Sequence, residues 1–210
     1  MRRRLILSAD DLGHSPEVDE GIFRSHREGL LGHASLLAAG RSAEEAAARA
    51  KSEYPGLSVG LHLSLCSGRA SSPLSASDLA PGGAFPSGPA LCGLRYFLRG
   101  ALRPALEREM RAQFERFLSL GLKPSHVDGH LNIHVHPTVF PVLIGLCREY
   151  GFSRVRLPGL EVESAAGQVQ ELELAGLDED SAMALTARLL EAAGRPPQAD
   201  APVLRELVRA

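Results

Sequence analysis

Residues 124–137 read PSHVDGHLNIHVHP and hold four of the chain's eight histidines, His126, His130, His134 and His136, with Asp128 set among them. Imidazole binds a divalent metal well and carries a proton near neutral pH. A neighbouring carboxylate fixes the tautomer of an imidazole or takes part in its proton transfer. The plain alternative is an exposed polar turn that is merely rich in histidine. The apolar, helix-like stretch Val139–Cys147 follows at once. The histidines therefore fall at a strand-to-helix junction, where α/β proteins place their ligands.

Working outward, residues 4–9 read as a first buried strand closed by Asp10-Asp11-Leu12-Gly13. Ser15-Pro16-Glu17 opens a helix, with Ser15 as cap and Pro16 in the first turn, and Gly29 ends it. Residues 31–39 form a second strand candidate. Residues 42–52, rich in Ala and Glu, form a helix closed by Pro55-Gly56, and 57–65 form a third strand with His62 near its C-terminal end. Residues 66–100 differ in kind, with much Gly, Pro and Ser, little periodicity and a short helix near 91–98. Such a segment inside a compact domain is usually functional or mobile, and it reads as a wall or lid over the site. Residues 102–120 form an amphipathic helix whose Leu102, Leu106, Met110, Phe114, Phe117 and Leu118 share an apolar face. A fourth strand over 123–128, a helix over 137–150, a fifth strand over 153–157 and a helix over 180–193 complete the order.

Alternating strands and helices predict an α/β fold with a mainly parallel sheet covered by helices. An open sheet and a barrel both satisfy that order. A full eight-unit barrel takes about 250 residues, and this chain has 210, so any barrel here is distorted and incomplete. Residues 1–210 read as one domain with an irregular insertion at 66–100.

Composition narrows the function classes. A net charge of -2, from 23 basic and 25 acidic residues, gives no electrostatic case for nucleic acid. The cysteines, Cys66, Cys92 and Cys147, are three in number and far apart, which fits a reducing compartment and a cytoplasmic protein better than a disulfide framework. Asp10 and Asp11 interrupt the N-terminal apolar run too early for a signal-peptide core, and no apolar run is long enough to span a membrane.

Asp10-Asp11, His62 and Asp128 with His130 each end a strand, and parallel strand ends converge at one edge of a sheet. One carboxylate with two imidazoles makes a metal triad that leaves positions open for water and substrate, and a second carboxylate can serve as base. A capped turn is the plain reading of Asp10-Asp11, yet adjacent acids after an apolar strand are costly unless paired or metal-bound. His14 lies close to this address, whereas His26 and His33 read as ordinary helix and strand residues, and Cys66 has no partner for thiol catalysis.

The segments SADDLGHS, VGLHLSL and PSHVDGHLNIHVHP together resemble the YdjC/ChbG family of carbohydrate deacetylases, over roughly residues 3–158, and most of all its branch associated with hopanoid biosynthesis. The resemblance implies a distorted (β/α) barrel of the polysaccharide deacetylase type. It also implies removal of acetyl groups from N-acetylated sugars with one divalent metal, Mg²⁺ or Zn²⁺. Carried onto this chain, it makes Asp10 the general base and Asp11, His62 and His130 the metal ligands. His126 and Asp128 match the family's His-x-Asp pair, which the resemblance places beside the ligands, and His134 matches the last signature histidine. Asn132 stands where a histidine is common, and its amide cannot cycle a proton. No histidine follows His136, so the late histidine expected as general acid is missing and the C-terminal third reads as shortened. His126 or His134 would then have to protonate the departing amine, and a weakened enzyme is expected.

The implied substrate is an N-acetylated oligosaccharide or glycolipid, with residues 66–100 touching its remote part. A homodimer covering the exposed sheet edge fits the missing barrel units. Two other readings stay open: a metal-dependent phosphoester hydrolase, since an Asp/His set can hold two metals, and a catalytically impaired metal-binding homologue acting as a scaffold.

Overall fold

The computed structural model describes residues 6–73 and 78–157, together with the backbone of 171–173. Five parallel strands lie side by side in chain order: β1 (Ser8–Leu12), β2 (His33–Leu36), β3 (Ser58–Leu63), β4 (Val127–Gly129) and β5 (Arg154–Arg156). A short β6 (Glu171–Glu173), absent from the sequence reading, adds to β5 antiparallel. Among the described residues β1 and β6 do not pair, so the sheet stays open.

The crossovers carry the helices. Helix α1 (Pro16–Glu28) starts where Ser15 Oγ accepts the Val18 N–H and Pro16 occupies the first turn. Helix α2 (Ala43–Ser52) buries Ala43, Ala46, Ala47 and Ala50, small side chains that allow close approach to its neighbours. Helix α3 (Pro89–Leu98) lies within the segment predicted as irregular and begins two residues earlier than expected, because Pro89 fits the first turn of a helix. Helix α4 (Arg103–Ser119) buries Leu106, Met110, Phe114 and Phe117 as its periodicity predicts. Helix α5 (Phe140–Tyr150) ends at Gly151, whose φ of 78° is the left-handed conformation glycine adopts without strain. The helix predicted over 180–193 lies outside the described residues.

Two boundaries differ from the sequence reading in ways that matter. The first strand includes Asp10, Asp11 and Leu12 instead of ending before them. The fourth covers only Val127–Gly129, since its parallel register with β3 runs from Leu61↔Val127 to Leu63↔Gly129.

Strand alternation and this register divide the sheet into two unlike faces. Ala34, Leu36, Val59, Leu61, Leu63, Val127 and Val155 belong to the buried apolar core. Ser35, His62, Asp128 and Arg156 belong to the opposite face, which is polar. A parallel sheet covered on both faces reads as continuous apolar runs; here alternate positions are polar, because that second face carries the site.

Candidate metal and catalytic site

A β-bulge in β1 aims two adjacent carboxylates the same way. Ala9 pairs with Ala34 and Leu12 with Leu36, so Asp10 and Asp11 together oppose the single residue Ser35. In a regular strand, neighbours point to opposite faces; the extra residue cancels that alternation. Leu12 returns to the core, where it is fully buried, and both acids reach the polar face. Asp11 accommodates the extra residue with a φ of 65°, a left-handed conformation that Asp tolerates better than most side chains.

Asp11, His62 and His130 meet there. Asp11 Oδ1 lies 3.2 Å from His62 Nε2 and 2.9 Å from His130 Nδ1. An ion held at about 2.1 Å by each ligand requires neighbouring donor atoms to stand about 3 Å apart. The donor set, one carboxylate oxygen and two imidazole nitrogens within 4.8 Å of one another, therefore fits a divalent cation. Asp128 is fully buried, and its Oδ1 accepts from His62 Nδ1 at 2.6 Å, with Ser35 Oγ 3.0 Å from the same nitrogen. This bond fixes the tautomer and leaves Nε2 as the nitrogen that can ligate. Asp10, His62 and Asp128 form a second, overlapping group of donors.

The electrostatics favour positive charge at this point. The imidazoles of His130 and then His62 hold the Asp11 carboxyl well below the usual carboxylate range. Burial opposes charge on His62, but hydrogen bonds to Asp11 and Asp128 outweigh it and push its pKa up to about 9. Burial likewise opposes the Asp128 charge, and the hydrogen bond and charge of His62, with the Arg156 guanidinium, pull its pKa down regardless. Two carboxylates around a buried imidazole thus create a seat for a cation.

Arg156, which the sequence reading did not single out, binds the second acid. Its Nη1 and Nη2 reach Asp10 Oδ1 and Oδ2 at 2.6 and 2.7 Å, a bidentate pair, and Nη1 also lies 3.0 Å from Asp128 Oδ2. The signal was present in the sequence: Arg154-Val155-Arg156 puts charge into a strand that pairs with a buried one, and a charge there needs a partner.

The remaining histidines divide by layer. His134 is buried, and its Nε2–H donates to the Arg156 carbonyl at 2.8 Å; burial drops its pKa to about 4, so it is neutral. Gly129 permits this, since a Cβ there would come within 2.5 Å of the His134 ring. His126 is also buried, packed over Gly60, where a Cβ would lie 2.6 Å from its ring, and edge-on to His33 at 5.8 Å. It sits a layer beneath His62 and Asp128. His14 is exposed and lines a cleft of about 190 Å³ together with His62, Arg41, Arg69 and Gln113. His26 Nδ1 bonds the Leu31 carbonyl at 2.6 Å, and Cys66 Sγ lies 3.7 Å from the His130 carbonyl.

The cleft wall is anchored by polar residues on the buried face of α4 that an apolar reading of that helix passes over. Gln113 donates to the Ser64 carbonyl and accepts from the Ser64 N–H, at 2.7 and 3.0 Å. Glu109 accepts from the N–H groups of Ser71 and Ser72 at 2.7 and 2.9 Å. Both break the apolar stripe at helical spacing, which is the mark that would have exposed them.

The family model described as YdjC-like protein matches residues 4–204. A carbohydrate deacetylase of Geobacillus stearothermophilus is 42% identical over 168 residues, covering 79% of this chain and 62% of that protein. The mouse carbohydrate deacetylase is 37% identical over 163 residues, covering 75% of this chain and 51% of that protein. A crystal structure of a proposed cellobiose-phosphate cleavage protein from Enterococcus faecalis V583 superposes with a TM-score of 0.65 at 26% identity, over 75% of this chain and 60% of that one. The chain thus spans less than two thirds of the length of these relatives.

Proposed function

The chain belongs to the YdjC-like family, and from that premise we propose that it is a hydrolase removing the acetyl group of an N-acetylated sugar with the help of one divalent metal ion. The observation that carries the reading is the convergence of Asp11, His62 and His130 beside a second, separately held carboxylate, Asp10. Its relatives' names as carbohydrate deacetylases agree with it.

Asp11, His62 and His130 would hold the ion, Mg²⁺ or Zn²⁺, both of which accept mixed Asp/His shells. When bound, such an ion polarises an acetyl carbonyl and makes a water acidic enough to be deprotonated near neutral pH. Asp128 keeps His62 Nε2 presented, and Asp10 is the base that accepts the water's proton. Arg156 orients Asp10 by holding both of its oxygens. His134 in turn holds the backbone of Arg156, and His126 supports the layer below; their buried rings suit positioning more than proton donation. His14, exposed in the cleft beside His62, is the histidine placed to approach a departing amine. An oligosaccharide or a glycolipid of the hopanoid-linked kind both suit a cleft that opens to solvent. A second copy covering the open sheet edge belongs to the same reading.

The test is amine release from soluble N-acetylated chito-oligosaccharides and from N-acetylglucosamine-bearing lipids, using metal-stripped protein before and after Mg²⁺ or Zn²⁺ is added. The expected result is release that needs the ion. Tight metal binding with no release from any acceptor would favour the scaffold reading, and phosphate release from aryl phosphates in its place would favour a phosphoesterase.

A further inference from the structure

Helix α3 is apolar on both sides, yet among the described residues only one side is covered. Its inner face is fixed by close packing: Cys92, Gly93 and Tyr96 are buried, and a Cβ at Gly93 would lie 3.3 Å from the His136 ring. The Tyr96 hydroxyl donates to the Leu65 carbonyl, and Thr138 Oγ1 donates to the Tyr96 carbonyl at 3.4 Å. The helix cannot roll without breaking these contacts. Its outer face therefore presents Leu91, Leu94 and Leu98, at spacings of three and four, with exposures of 60%, 51% and 69%. Leu131, the residue after His130, is 49% exposed, and α3 packs on the turn His130–Val135 that contains it. Large apolar side chains gathered on one helix face, unlike the singly exposed Leu7 and Leu30, mark an interaction surface.

The charge around this face names the partner. Residues 79–106 contain three arginines, Arg95, Arg99 and Arg103, and no acidic residue. Arg99 is exposed, and Arg95 donates to the backbone carbonyl of Leu79. A second copy meeting this face across a two-fold axis would bring these cations against themselves. An anionic lipid surface attracts them and accepts the leucines below its headgroups.

We propose that the Leu91/Leu94/Leu98 face of α3 docks the protein on an anionic lipid bilayer and brings the candidate site to acetylated sugars carried on lipid headgroups. The inference rests on the deacetylase reading for its substrate, and it selects the glycolipid over the free oligosaccharide. Docking through α3 sets the His130 turn at the membrane edge, so the sugar enters the cleft while its lipid stays in the bilayer.

The chain has no tryptophan, so Leu94→Trp supplies a single reporter. Its emission should shift to the blue with vesicles of phosphatidylcholine containing about a third phosphatidylglycerol, less with pure phosphatidylcholine, and less again at high salt. The Leu94→Gln/Leu98→Gln double variant should weaken co-sedimentation of the full chain with anionic vesicles by roughly tenfold or more. Arg99→Gln should weaken it by less. The double variant should also release less amine from vesicle-borne acceptor while acting on soluble chito-oligosaccharide at the unchanged rate. Absence of co-sedimentation at low salt would overturn the proposal, as would equal binding by the double variant. A dimer that these substitutions convert to monomer, with no vesicle binding, would assign the face to a second copy instead. Vesicle binding by a chain that deacetylates no acceptor would uphold the docking and reject the hydrolase reading on which its substrate rests.

Discussion

Arg156 ties the two halves of the site together. Its guanidinium spans both oxygens of Asp10 and reaches Asp128, the partner of His62. Lysine keeps the charge but not the planar fork, so Arg156→Lys should lower turnover by roughly 10–100-fold while metal content, read by elemental analysis, stays near that of the wild type. Equal loss of metal and turnover would mean that Arg156 supports the ligands and not the base. His134 offers a second test, through pH. In the unfolded chain its imidazole gains a proton below about 6.5, but in the folded chain burial delays this to about 4. Between those values the unfolded state binds more protons, so the folded state loses stability as pH falls from about 6.5 to about 4, by up to roughly 3 kcal/mol. His134→Gln keeps a donor for the Arg156 carbonyl and cannot titrate. Denaturant unfolding at pH 7 and pH 4.5 should therefore show a smaller acid loss in the variant than in the wild type. An identical loss in both would remove His134 from the account. At this scale the acids of residues 10 and 11, and His62 and His130, were legible because strand ends converge. Arg156 was not, because its role depends on a register that the sequence does not display.

Among the elements, β1 shows most plainly what pattern reading misses. Period-two alternation cannot place Asp10 and Asp11 on one face, and a bulge leaves no composition signal beyond two polar residues between Ala9 and Leu12. The third strand is legible in the sequence, residues 57–65 against an observed Ser58–Leu63, because its apolar run is long and cleanly bounded. The fourth begins later than its sequence suggests, since Lys123–Ser125 lack the pairing that Val127–Gly129 find with β3. Beyond β4, the turn from His130 to Val135 places Leu131 and Asn132 at positive φ, which no hydrophobic period foretells. Glycines hold this arrangement open. Gly129→Ala would drive a methyl to within 2.5 Å of the His134 ring, and Gly60→Ala would put one 2.5 Å from the His126 carbonyl. Each should cost about 1–3 kcal/mol in denaturant unfolding. Gly129→Ala should in addition lower turnover, because His134 carries the Arg156 backbone. Unchanged stability in both variants would show that the two histidines can move aside.

Across the whole molecule, the parallel order β1 to β5 explains why residues as distant in sequence as Asp10 and Arg156 share a site: each lies near the C-terminal end of its strand, at one edge of the sheet. That order is legible from the alternation of strands and helices, and among the described residues the sheet is open, as the small number of strands in the sequence suggests. The covered and uncovered sides of α3 are not legible, because its composition is apolar on both. Among the described residues no helix is long and apolar enough to cross a membrane. The proposed reaction divides labour between two neighbouring carboxylates, Asp11 to hold the ion and Asp10 to accept the proton. Bound metal and acetate release, measured side by side in Asp10→Asn, Asp11→Asn and the wild type, test it most directly. Asp10→Asn should keep its metal and lose roughly 10²–10⁴ in turnover, while Asp11→Asn should lose both; metal lost from Asp10→Asn but retained by Asp11→Asn would contradict the assignment.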